Sequence, residues 1–71
     1  MTLLNAENGK TYTVKNIKTG DAELEAFLFS LGCYSGEKIT VVKLRKSGCV
    51  VLIKDGRYNI DSALASAIEI E

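Results

Sequence analysis

Apolar side chains recur along this chain in two periods, one of two residues and one of three to four, and the switches between them mark its elements. From Lys10 to Ile17, Tyr12 and Val14 alternate with polar neighbours as in a half-buried strand; Ile17 then breaks phase, predicting a bulge or the end of pairing. Asp21 can cap a helix, and Leu24, Phe27, Leu28 and Leu31 at i, i+3, i+4 and i+7 form one stripe able to lie on a sheet. Glu23 and Glu25 complement the dipole of its first turn. Gly32, just past Leu31, suits a left-handed terminus, and Gly36 permits a second reversal before the next strand. Phe29 points away from the stripe, on the side of Ala22, Glu25 and Ala26.

Between Glu37 and Arg45 the pattern alternates Ile39 and Val41, then changes phase to Val42 and Leu44. Cys49 to Ile53 is apolar at every position, predicting a strand buried on both faces, as a tightly curled barrel requires. Arg45–Gly48 and Lys54–Arg57 read as hairpin turns, with Asp55-Gly56 at the centre of the second. Arg57–Ile60 follows as a short strand, Asp61 caps one helical turn over Ser62–Ala67, and Ile68 and Ile70 alternate with acids in a closing strand. This order predicts a mainly β fold: a small SH3-like five-stranded barrel with one inserted α-helix and a short C-terminal helical turn, forming a single domain over residues 1–71.

Nine Lys plus Arg balance nine Asp plus Glu, so the net charge of zero provides no overall field to gather nucleic acid or an anionic membrane. No apolar run approaches the roughly 20 residues that cross a bilayer, and the chain reads as cytosolic and intact, without direct membrane insertion. The two cysteines, Cys33 and Cys49, are expected as free thiols. There is no histidine, which removes the commonest general base and the commonest transition-metal ligand; neither catalysis, nor a cofactor, nor a dedicated metal site is expected.

Several blocks in order resemble the FeoA family. They are Leu3-Leu4 ahead of Gly9, Tyr12-x-Val14-x-x-Ile17, Leu28-Phe29-x-Leu31-Gly32, Ser35-Gly36-Glu37-x-Ile39, Gly56 before Tyr58-x-Ile60, and Ala63-x-Ala65-x-x-Ile68-x-Ile70. The Leu-Gly to Gly-Glu block is the distinctive one. Ser35 stands where the family usually has proline, and Glu23, Glu25 and Phe27 stand where basic residues are common. The resemblance implies a non-enzymatic accessory of ferrous-iron uptake that binds the cytosolic region of an FeoB-type transporter. The alternative is a small barrel that binds nucleic acid or acts in iron-dependent transcriptional regulation, although nucleic-acid binding is not expected from the charge balance.

Two surfaces are candidates for the partner. The first is Phe29 with Cys33 and Tyr34, where an exposed aromatic can anchor an interface, against the bland readings of rings packed under a loop or over the barrel end and a buried structural thiol. The second is Lys43, Arg45 and Lys46, grouped with Lys54 and Arg57, which could meet an acidic surface or simply shield hairpin edges.

Overall fold

Asp21 and Gly32 bracket the long helix. In the computed structural model, which describes residues 1–71, the Asp21 carboxylate accepts from the N–H groups of Glu23 and Leu24, helix α1 runs Ala22–Leu31, and Gly32 turns left-handed at φ 93°. The remaining elements are β1 (Thr11–Ile17), β2 (Lys38–Arg45), β3 (Gly48–Ile53), β4 (Gly56–Asp61), α2 (Ser62–Ala67) and β5 (Ile68–Ile70), after a 3-10 turn at Leu3–Asn5. All strand pairs are antiparallel, in the order β4-β3-β2-β1-β5.

Both phase changes in the sequence are register shifts. The β1 ladder slips between Val14 and Asn16, which returns Ile17 to the inner face opposite Ile68. The β2 ladder slips between Val41 and Lys43, so Ile39, Val41 and Leu44 all face inward. Inward residues from every strand form one core, including Val14, Ile39, Val41, Cys49, Val51, Ile53, Ile60, Ile68 and Ile70.

The expected closure into a barrel is not observed: the sheet is open, and no ladder joins β4 to β5. Three local facts explain this. The six residues of α2 separate the two strands and leave β5 only three residues long. The edge of β5 away from β1 is already used, because Ile70 N–H donates to Met1 C=O at 2.8 Å and Thr2 bridges Glu69. Finally, β3 buries one face only: Cys49, Val51 and Ile53 are inside while Leu52 is 40% exposed, so it lacks the two-sided burial of a tight barrel.

Helix α2 stands in the opening instead, packed against β3, β4 and β5. Leu24 near the start of α1 shares a groove with Asp61 and with Ala63, Leu64 and Ala67 of α2, and Gly32 at its end meets the Lys54 side chain in the β3–β4 turn. The contribution of α1 to the core is a single fully buried residue, Leu28, joined by Ala65 from α2. The expected four-residue stripe is thus reduced to one, with Leu24 and Phe27 left 41% and 51% exposed. No other element packs along the length of α1, whereas a helix laid on a sheet face would bury a broad stripe.

The second hairpin also turns one residue earlier than the Asp55-Gly56 pattern predicts. Ile53 pairs with Gly56, so Lys54 and Asp55 form the two-residue turn, and Lys54 takes the positive φ, at 55°. Gly56 is needed for space: a Cβ there would collide with the ring and hydroxyl of Tyr58.

Because Leu28 alone ties α1 into the core, Leu28→Ala should cost about 2–5 kcal/mol in urea unfolding, much of a small domain's total stability. A loss below about 1 kcal/mol would show that the helix is held by something else.

Candidate protein-docking site

Where α1 ends, its last turn, the following loop and the β3–β4 turn converge. Gly32 N–H donates to Phe29 C=O at 3.0 Å and Cys33 N–H to Leu28 C=O at 2.9 Å, which satisfies the helix's terminal carbonyls. The loop is then sewn to β1: Ser35 Oγ donates to Lys15 C=O at 3.0 Å, Gly36 N–H to Val14 C=O at 2.8 Å, and Val14 N–H to Glu37 C=O at 2.8 Å. Gly36 makes this reversal at φ 94°.

Lys54 locks the assembly from the other side. Its stem packs on the bare Cα of Gly32, where a Cβ would lie 2.7 Å from Lys54 Cγ. Its ammonium donates to Glu37 Oε2 at 2.9 Å and sits 5.8 Å from the Tyr34 ring centroid. The Lys54 hydrogen bond is the main cause holding the Glu37 carboxyl below its ordinary value, and the same bond raises the Lys54 ammonium.

On this scaffold stand the aromatic candidates. Phe29 is 64% exposed, and its ring lies 4.7 Å from that of half-buried Tyr34 at an interplanar angle of 31°. Cys33 is buried beneath them as a free thiol that burial pushes up to about 11. Phe29, Cys33 and Tyr34, with Asn16, Ile17, Glu25 and Ser35, enclose a concavity of about 210 Å³. A larger groove of about 400 Å³ lies on the other flank of α1, between Leu24 and the Asp61–Ala67 segment.

The basic candidates are elsewhere. Lys43 and Arg45 share the outer face of β2 and Lys46 lies in the β2–β3 turn, all exposed; that turn is separated from the Lys54 turn by the six residues of β3, roughly 20 Å of strand. Lys54, grouped with them in sequence, belongs to the aromatic site instead. Glu37 and Gly32 were missed as its partners. Glu37 is 17 residues from Lys54, too far apart for any periodicity to link them.

No group of three or more His, Cys, Asp or Glu side chains is placed to hold a metal ion, and no helix is long and apolar enough to cross a membrane. The FeoA domain profile matches residues 1–71. The chain belongs to the FeoA family. As an FeoA-domain protein it is a non-catalytic component associated with ferrous-iron uptake. No curated protein matches it in sequence.

Solved structures similar to this FeoA chain include iron(II) transport protein A from Clostridium thermocellum, 25% identical with a TM-score of 0.87, over 100% of this chain and 44% of that one. FeoA from Stenotrophomonas maltophilia, a prokaryotic SH3-domain protein complexed with zinc, is 18% identical with a TM-score of 0.85, over 100% of this chain and 89% of that one. A manganese-dependent transcriptional repressor in complex with manganese is 24% identical with a TM-score of 0.86, over 97% of this chain and 35% of the repressor. At 18% and 24% identity, the likeness to the last two is one of fold.

Two measurements probe the latch. Gly32→Val should destabilise by about 1 kcal/mol or more, lowering the melting temperature by several degrees, because a β-branched residue resists positive φ and its Cβ meets Lys54; an unchanged melting temperature would refute this. The lowered Glu37 carboxyl means that its pair with Lys54 stabilises the fold above the ordinary carboxyl value of 4.5 and loses that effect as pH falls through the depressed native value. Wild type and Glu37→Gln should therefore differ in urea midpoint at pH 7 and converge in acid. A gap that persists at pH 2 would rule out the ion pair as its source.

Proposed function

We propose that this FeoA-domain chain works by docking on the cytosolic region of an FeoB-type transporter, with the Phe29–Tyr34 corner as the contact. The observation that carries this reading is a phenyl ring left 64% exposed on a backbone fixed by hydrogen bonds and by Lys54. Rigid aromatic side chains give large contact area for little lost rotamer freedom, which is why they dominate interface energies. Leu24 and Phe27 expose a separate apolar area on the other side of the same helix. Because that helix touches the core only through Leu28, a partner could cover it without disturbing the sheet.

The basic residues support a second contact less well. Lys43, Arg45 and Lys46 have no carboxylate partner within the chain, as an acidic docking surface would need, but no large exposed aromatic accompanies them. The nucleic-acid alternative wants stacking rings among its cations, and Tyr58, the only aromatic in the two hairpins, packs against the core.

Phe29→Ala should weaken association with the transporter's cytosolic region by about 1 kcal/mol or more in calorimetric titration, with the melting temperature unchanged because the ring lies outside the core. Equal affinity for variant and wild type would remove Phe29 from the contact.

A further inference from the structure

The concavity at the Phe29–Tyr34 corner has the chemistry of a receptor for a cation. We propose that it takes an arginine side chain from a basic segment of the protein partner; this rests on the docking reading above and adds the identity of the anchor. Two walls are aromatic: the Phe29 and Tyr34 rings lie against each other and Lys54 sits over Tyr34, which leaves the exposed Phe29 ring as the face for a planar guanidinium. The only ionisable groups besides Tyr34 in the lining are Glu25 and Cys33. The Cys33 thiol, pushed up by burial, stays neutral at physiological pH, leaving the Glu25 carboxylate as the sole charge.

Glu25 is also available. Its Oε2 accepts from Thr19 Oγ1 at 2.8 Å, while Oε1 has no partner within the chain and no lysine or arginine forms an ion pair with it. None of the nine cations lines the concavity, and the sequence from Thr19 to Glu37 contains none at all while carrying Asp21, Glu23, Glu25 and Glu37. Two other polar groups in the lining are already engaged: Asn16 Oδ1 accepts from Ile17 N–H at 2.8 Å, and Ser35 Oγ donates to Lys15 C=O. An anionic ligand would face the Glu25 charge, and the one cation beside the rings, Lys54, is already held by Glu37 at 2.9 Å. A guanidinium can stack on the Phe29 ring and donate to Glu25 Oε1 together.

The test is an NMR titration of the full-length, isotopically labelled protein with N-acetyl-arginine amide and with N-acetyl-citrulline amide, its uncharged near-isostere. Saturating shifts confined to Asn16, Glu25, Phe29 and Tyr34, with the citrulline compound at least tenfold weaker, are expected. Glu25→Gln and Phe29→Ala should each weaken the arginine response at least fivefold while leaving the remaining spectrum native. Equal binding of the two compounds, an unaffected Glu25→Gln, or shifts scattered over remote acids such as Asp55 and Glu71 would overturn the proposal. So would a deoxythymidine hexamer binding at the same rings. If Phe29→Ala abolishes transporter binding but the arginine compound never engages the corner, docking stands and the arginine anchor falls; if arginine binds and transporter affinity is indifferent to Phe29, the docking reading falls instead.

Discussion

The contact on which the site depends is the Lys54 stem lying on the bare Cα of Gly32. It joins two elements that no β-ladder connects, the end of α1 and the β3–β4 turn, and it requires an unusual backbone on both sides: φ 93° at Gly32 and φ 55° at Lys54. A lysine in the left-handed region is disfavoured unless its surroundings hold it there. Here the ion pair to Glu37 and the packing on Gly32 do so, and Glu37 is itself fixed through the loop that carries Tyr34. The exposed ion pair is worth little alone. Its effect is geometric, since it decides where Tyr34 stands and hence what supports Phe29.

An open sheet makes such a latch necessary. In a closed barrel, strand pairing would hold every element, and the helix would be an ornament on the outside. With β5 paired to β1 on one edge and to Met1–Thr2 on the other, nothing in the ladder holds β4 against the rest of the opening. Leu28 and Ala65 supply apolar contact there, and Lys54 fixes the helix terminus. Leu24, Phe27 and Phe29 are exposed because no other element packs along the length of α1, which offers much of its circumference to solvent.

What could be read in the sequence was whatever depends on near neighbours. Asp21 and Gly32 announce the ends of α1 because capping is chemistry within a few residues. The phase slips near Ile17 and Val42 announce bulges because side-chain alternation has a strict period. Closure was not legible, since alternation shows which side of a strand is wet but not which edge finds a partner. That was decided by where Met1 and Thr2 fold: Met1 C=O meets the N–H of Ile70, sixty-nine residues away in sequence. At the candidate site, Phe29, Cys33 and Tyr34 could be grouped by proximity in sequence. Lys54 could not, and proximity assigned it to the wrong set of cations.

Charge shows the same limit of counting. A net charge of zero suggests a surface without electrical preference, yet Thr19 to Glu37 carries four acids and no cation, whereas Lys38 to Arg57 carries six cations and Asp55 as its only acid. The molecule extends 28 × 23 × 20 Å, several times the roughly 8 Å over which physiological salt screens a charge. Partners approaching α1 and partners approaching the outer face of β2 therefore meet different fields, and the total describes neither. A docking protein of this size has few residues with which to discriminate. Separating its charges, rather than adding to them, lets it repel at one surface what it would accept at another.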